Sequence, residues 1–170
     1  MSNVKLVLSL ILLFSSLCCY AQGNEKSIQI QVNRMISDWN THEFKNMDLY
    51  TTEDVEWVNI VGMWWKGRND VKKAHQSTFD IFFKGVPFTQ KSLNIRFLTN
   101  DVAIANLVCH IGSLFPPDGI DRVNNRTPET DNLLMLVYRK KIGIWLLAAG
   151  QNTIIDPEAA KHNPITMKTN

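Results

Sequence analysis

The first third of the chain combines helical and strand-like spacing of its apolar residues. Within residues 28–39, apolar side chains recur every three or four positions, which predicts an amphipathic helix with one buried stripe. A short second helix is predicted over residues 44–50. Alternation over residues 55–61 then predicts a strand, and Gly62 permits a turn into a short returning strand over residues 63–66.

The remainder of the chain predicts one more helix and then mainly strands. Asn69 is placed to cap the third helix, which is expected to end before Gly85-Val86-Pro87. Four strands are predicted, over residues 92–98, 102–112, 133–139 and 144–151, with a long polar loop at 116–130. Helices followed by antiparallel strands predict an α+β domain, with helices on one face of a curved sheet around an internal pocket.

Residues 1–21 have the pattern of a secretory signal. Lys5 precedes an apolar stretch at 6–14, and Cys19-Tyr20-Ala21 resembles a cleavage site that leaves Gln22 as the first residue. The apolar stretch is short for a membrane span. We therefore expect an exported protein with no stable membrane span after cleavage, a domain at residues 22–155 and a tail at 156–170. An uncleaved anchor and lipid attachment at Cys18 or Cys19 are alternatives.

Composition and charge narrow the possible functions. The chain has 170 residues, of which 45% are hydrophobic, so a single domain can bury a substantial core. The 18 basic and 16 acidic residues give a net charge of +2 without a basic run, which argues against a nucleic-acid partner. None of the histidines pair at metal-ligand spacing, so neither a metal nor another cofactor is expected.

Cysteine usage bears on the compartment. After signal cleavage only Cys109 remains, and it lies in an apolar run, which predicts a buried, inert thiol. An exported chain without an internal disulfide is more typical of a bacterial periplasm or surface than of a eukaryotic secretory product. The expected location is therefore periplasmic or extracellular, in a bacterium.

The order of several short motifs resembles the nuclear-transport-factor-2-like (NTF2-like) superfamily. These motifs are DVEWVNIVGMWWKGR at 54–68, a following helix with His75 and Phe79, DVAIA at 101–105, GIW at 143–145 and QNT at 151–153. The sequence is most similar to the SnoaL-like and SgcJ/EcaC-type bacterial members. The resemblance implies a cone-shaped α+β fold, often a homodimer, with a pocket for a hydrophobic or aromatic small molecule. It does not imply one reaction, because members include isomerases, cyclases, dehydratases and non-catalytic binders.

The resemblance also allows a comparison with ketosteroid isomerases of this superfamily. Those enzymes place a general base two residues before a Val-Gly pair; here the pair is Val61-Gly62 and the position holds Asn59. An amide cannot abstract a proton near neutral pH. Their oxyanion donors correspond approximately to Met35 and to the region 134–135, which are apolar here. Proton abstraction of that kind is therefore not expected.

The candidate pocket residues combine aromatic and polar side chains; they are Trp57, Asn59, His75, Asn106, His110 and Asn152. Trp57 and Asn59 share a strand face by the period of two, and they offer an apolar wall with a polar handle.

His75 lies beside the apolar stripe of the third helix and titrates near neutral pH. Each polar candidate also has a structural interpretation: His75 bound to backbone, His110 at a strand end near solvent, and Asn152 capping a turn.

Three functions remain open at this level. The first is a cofactor-free domain that binds a hydrophobic or aromatic molecule. The second is a cofactor-independent isomerase, cyclase or dehydratase that uses His75 and Asn59 around a polarised carbonyl. The third is a homodimeric interaction module whose pocket is closed by its own side chains. For the first two we expect Asn59 and His75 in one cavity, and a contribution of His75 that varies with pH between about 5 and 8.

Overall fold

The computed structural model describes residues 2–165, and the side chains of residues 22–165. The elements in chain order are α1 (Ser2–Thr41), a 3₁₀ helix (Phe44–Leu49), β1 (Thr51–Val58), β2 (Trp64–Lys66), α2 (Arg68–Ile81), β3 (Phe88–Phe97), β4 (Val102–Ile111), β5 (Thr130–Lys141), β6 (Ile144–Ile154) and α3 (Pro157–Ala160). The signal segment at residues 1–21 lies outside the described side chains and stays a prediction. In the described part of the chain, no helix combines the length and apolar character needed to cross a membrane.

The strands form one sheet in the order β2-β1-β6-β5-β4-β3. Only the β1–β6 pair is parallel; the other neighbouring strands run antiparallel. Helix α1 packs against β3 and β6, and α2 packs against β1 and β2. The sheet is curved and open, and the predicted α+β class with helices on one face of a mostly antiparallel sheet is confirmed.

Helix α1 is held on the sheet by an apolar stripe and by polar contacts of Asn24 and Asn40. The buried stripe has the expected helical spacing and consists of Ile28, Val32, Met35 and Trp39. One turn before this stripe, Asn24 Oδ1 accepts a hydrogen bond from Trp145 Nε1 at 3.0 Å. At its end, the Asn40 amide donates to the Phe88 carbonyl and accepts from the Phe88 N–H, at 2.9 and 2.8 Å. These contacts place Trp39 above the sheet.

Strand β1 ends earlier than its apolar pattern predicts. The alternation continues to Val61, but Asn59 Oδ1 accepts hydrogen bonds from the N–H groups of Val61 and Met63, at 3.1 and 2.8 Å. Gly62 completes the turn with φ of +81°. Asn59 is thus a turn residue, and Val61 is 69% exposed rather than on a strand face.

Helix α2 differs from its prediction at the cap and along the stripe. Gly67, with φ of +79°, precedes the first turn and no side chain caps it, so the capping role expected for Asn69 is wrong. The buried positions are Val71, His75 and Phe79, spaced four residues apart. Phe82, directly after the last residue of α2, is exposed. His75 therefore lies at the centre of the buried face and not beside it.

The side chains of β4 alternate strictly between the two faces of the sheet. Its odd-numbered positions from Ala103 to Ile111 face the core, and Cys109 among them has no exposed surface. Burial raises the pKa of the Cys109 thiol to about 12, so the prediction of a buried, unreactive cysteine is confirmed. The even-numbered positions, which include Asn106 and His110, lie on the outer face of the sheet.

An aromatic cavity as the candidate binding site

A cavity of about 70 Å³ lies between the helices and the core face of the sheet. Its wall is mostly aromatic and aliphatic, with a few polar side chains; the lining residues are Trp39, Trp57, Asn59, Ile60, Trp65, His75, Thr78, Phe79, Phe83, Val86, Pro87, Phe88, Ile111 and Asn152. Ile60 is partly exposed to solvent, so the cavity reaches the surface at the β1–β2 turn. Of the predicted site residues, this cavity brings together Trp57, Asn59, His75 and Asn152.

His75 is the titratable residue of the cavity wall, and its protonation state follows from its contacts. Its side chain is 6% exposed, and Nδ1 lies 2.8 Å from the carbonyl oxygen of Val71, one helical turn earlier. Because a carbonyl can only accept, Nδ1 carries the hydrogen. Burial lowers the pKa of His75 to about 4, and the bond to Val71 opposes this only in part. The ring is therefore neutral at physiological pH.

Aromatic rings enclose the imidazole on several sides. The Trp39 ring stacks on it at a centroid distance of 5.9 Å and an interplanar angle of 27°. The rings of Trp57 and Trp65 meet it edge to face, at 5.0 and 5.2 Å, and Phe44 lies at 5.4 Å. Such a cage keeps water from the imidazole and accounts for the lowered pKa.

The two asparagines of the wall have their carbonyl oxygens engaged. Asn59 Oδ1 holds the β1–β2 turn, and Asn152 Oδ1 accepts from Asn132 Nδ2 at 2.8 Å. Their side-chain NH₂ groups make no hydrogen bond with any described residue. Of the polar groups of Asn59, only the side-chain donors therefore remain available to a ligand.

The charge of the cavity limits its chemistry. Among the described residues, no Asp, Glu, Lys or Arg lines it. An ionised ligand would lose hydration there without gaining a counter-charge, so the cavity favours a neutral molecule. His75, with a pKa of about 4, is a weak base, and no carboxylate among the described lining residues raises that pKa. No group of three or more described His, Cys, Asp or Glu side chains is arranged to hold a metal ion.

Asn106 and His110 do not belong to this cavity. Both lie on the outer face of β4, where His110 Nδ1 is 3.0 Å from Asp131 Oδ1. Lys91, at 2.6 Å from the other oxygen, and then His110 lower the pKa of Asp131. Their assignment to the pocket wall is wrong because the alternation of β4 separates two faces without saying which one meets the helices.

Several residues of the site were not among the sequence candidates. Trp39, Trp65 and Phe79 belong to the wall but read as ordinary core residues in the sequence. Gly150 was also missed: a Cβ there would lie 2.3 Å from the ring of Trp57. The small-residue run Ala148-Ala149-Gly150 on the neighbouring strand is the one sequence signal that could have indicated this close approach.

Comparison with known proteins finds solved structures that share this fold. No family model matches the chain, and no curated protein matches it significantly. An uncharacterised protein with a cystatin-like fold from Caulobacter vibrioides is 27% identical over 83% of this chain and 96% of its own, with a TM-score of 0.75. A type 2 hexachlorocyclohexane dehydrochlorinase is 13% identical over 81% and 88% of the two chains, with a TM-score of 0.65. A ketosteroid isomerase-like protein from Erwinia carotovora atroseptica is 15% identical over 78% and 96%, with a TM-score of 0.62.

These likenesses, together with the open curved sheet covered by helices on one face, show the fold. It is described as cystatin-like in the Caulobacter protein and as NTF2-like in a Pseudomonas putida protein, which is 13% identical over 87% of this chain and 98% of its own, with a TM-score of 0.64. The fold that the resemblance of the sequence motifs implies is therefore confirmed. Neighbours with such different names share this fold, so the function has to be argued from the cavity itself.

Proposed function

We propose that this protein binds a small, neutral, apolar or aromatic molecule in the cavity around His75, without a cofactor. The observation that carries the proposal is an aromatic cavity without ionised groups that nevertheless contains a neutral imidazole and two amide donors. Small-molecule sites have this form, with an apolar wall and a few convergent polar groups. The finer assignment to the SnoaL-like and SgcJ/EcaC-type proteins belongs to the same proposal and is supported by the segment 54–75.

The size of the cavity limits the ligand. Its volume of about 70 Å³ is well below the roughly 300–1,000 Å³ of sites for drug-sized molecules. Trp65 and Phe83 in the wall are only half-buried, so they can move with less loss of packing than Trp39 or Trp57. The ligand is accordingly a single-ring molecule, or a larger one that inserts one ring.

The enzymatic alternative is less well supported by the residues. A ketosteroid-isomerase-like reaction needs a base and an oxyanion donor, but Asn59 is neutral and Met35 and Leu134 are buried apolar residues. Met135 lies on the outer face of the sheet and is 51% exposed. The small cavity volume is the one observation that favours the third alternative, a module whose pocket is closed by its own side chains. The following experiment distinguishes this module from a ligand-binding domain.

Native mass spectrometry of the protein purified from its own host tests the proposal. We expect a copurified neutral molecule that is released on unfolding and rebinds with quenching of tryptophan fluorescence, since Trp39, Trp57 and Trp65 form the wall. A His75→Phe variant should lose part of the bound fraction. If the protein carries no molecule and neutral aromatic probes leave its fluorescence unchanged, the closed module is the correct description.

We further propose that the protein is a homodimer that pairs through the outer face of its sheet. Apolar side chains lie on this face, where Leu133 and Met135 are 38% and 51% exposed. Across the β4–β5 pair, Leu133 lies opposite Val108, and Val137 lies opposite Ile104. Exposed apolar side chains grouped on one sheet face are typical of an interaction surface. In a two-fold pair the same patch meets its own copy, so one surface suffices.

A charged residue in this face should separate the dimer. Met135→Asp is expected to convert a species of twice the chain mass into a monomer, because two carboxylates would meet near the two-fold axis. Ile142→Asp is the matched control, since Ile142 is 93% exposed in the β5–β6 turn and lies off the face. Light scattering measures the molar mass of both variants and of the parent. A parent that is monomeric at micromolar concentration contradicts the proposal.

We also propose export with cleavage after Ala21. The described tertiary contacts of α1 are compatible with this cut, since Asn24 holds Lys140 and Trp145 at 2.8 and 3.0 Å. N-terminal sequencing of the protein from the periplasm or medium of its host should give Gln22 as the first residue. Unprocessed chain in the cytosol would contradict it.

A further inference from the structure

We propose that the ligand of this cavity is a phenol-type molecule, an aromatic ring with a hydroxyl group that donates its hydrogen to Nε2 of His75. This inference rests on the proposed function, because it names the chemistry of the molecule that the same cavity binds. It follows from the tautomer of His75, from the missing partner of Nε2 and from the rings around it.

The tautomer of His75 is set by its own helix. The Val71 carbonyl, 2.8 Å away, accepts a hydrogen bond from Nδ1, and a neutral imidazole has one hydrogen to give. Nε2 is therefore an unprotonated acceptor with its lone pair in the plane of the ring. The low pKa of His75 is consistent with this neutral form.

Nε2 has no donor among the described residues. His75 is 6% exposed, and its single polar contact with a described residue is made through Nδ1. Nε2 is not fully sealed within the described residues, and the ring of His75 lines the cavity, so Nε2 can be reached from the cavity. Because Nε2 keeps accessible surface within the cavity, a hydroxyl group bound there can donate a hydrogen bond to it.

The surroundings of His75 favour an aromatic carrier for that donor. The Trp57, Trp65 and Trp39 rings lie 5.0, 5.2 and 5.9 Å from the imidazole, so a planar ring meets ring edges and faces on several sides. The cavity of about 70 Å³ is smaller than the roughly 150 Å³ that encloses a benzene ring. One edge of the ligand ring therefore lies in the open mouth or displaces the half-buried Phe83.

The test compares phenol with toluene, which has nearly the same shape but no hydroxyl. Dissociation constants are measured by calorimetry at pH 7.5 for the parent, for His75→Phe and for the control His162→Phe, which replaces an exposed histidine of the tail. We expect the preference for phenol over toluene to fall about tenfold in His75→Phe, and to stay unchanged in the control.

A second measurement needs no variant. In long-range ¹H–¹⁵N spectra of the parent, phenol should move the Nε2 resonance of His75 towards that of a hydrogen-bonded nitrogen, while toluene should not. This readout holds even if His75→Phe fails to fold. If both probes bind with the same preference in parent and variant and Nε2 does not respond, the hydroxyl assignment is wrong while the binding function stands. If neither probe binds up to its solubility limit, the proposed function fails as well.

Discussion

Replacing Gly150 with alanine is expected to destabilise the domain by about 2–3 kcal/mol and to close the cavity. A Cβ at this position would lie 2.3 and 2.4 Å from ring carbons of Trp57, far inside van der Waals contact. Trp57 is 3% exposed and its ring is packed against Trp39 and His75, so it can move only into the cavity. Urea unfolding followed by circular dichroism measures the loss, and ligand-probe titration reports on the cavity.

Two comparisons separate this clash from a general effect of the alanine. Gly23→Ala adds the same methyl group on α1, where nothing lies within 4 Å, and should leave stability unchanged or raise it slightly. A Trp57→Phe background removes the ring carbons that meet the new methyl. In that background Gly150→Ala should cost much less, as a double-mutant cycle would reveal. A Gly150→Ala protein as stable as the parent would mean that Trp57 has room to move.

The second large effect is a loss of stability on acidification that depends on His75. The pKa of His75 is about 4 in the folded chain against 6.5 for an unperturbed histidine. Below pH 6.5 the unfolded chain therefore binds a proton that the folded chain does not. The free energy of unfolding falls as pH decreases from 6.5 to about 4 and levels off below, with a total contribution of about 3 kcal/mol.

The His75→Phe variant removes this contribution. The difference in unfolding free energy between parent and variant should change by about 3 kcal/mol between pH 7.5 and 4, in favour of the variant at low pH. His162→Phe serves as the control, because it should follow the parent at every pH. Urea unfolding at four pH values measures all three proteins. Parallel curves for parent and His75→Phe would show that the imidazole is solvated or paired in the folded state.

The same pKa changes the expectation for ligand binding. From the sequence alone, the contribution of His75 was expected to vary between about pH 5 and 8, the range of a solvent-exposed histidine. Burial among aromatic rings moves its titration below that range, so the ring stays neutral from about pH 5 upward. The sequence places His75 on a helix, but it does not contain the degree of desolvation that three-dimensional packing produces.

The fold class was predictable because it depends on local periodicity. The apolar spacing of α1 and the alternation of β4 match the buried positions in the structure closely, and α1 buries Ile28, Val32 and Met35. The motif order at 54–75 added the expectation of an NTF2-like fold. Boundaries were less accurate: β1 ends at Val58 because the side chain of Asn59 bonds the turn, a contact that hydrophobic periodicity does not register.

The cavity was predictable only in part. The sequence by itself determined that Trp57 lies on a strand and His75 on the helix that follows, since strand and helix periods are local. Only the tertiary structure placed Asn59 in the turn after that strand. Only the tertiary structure decided that the even-numbered face of β4, with Asn106 and His110, turns away from the helices. It also decided the tautomer of His75 and the space that Gly150 leaves for Trp57. These features depend on which surfaces pack together and how closely, and distances between segments far apart in sequence arise only when the chain has folded.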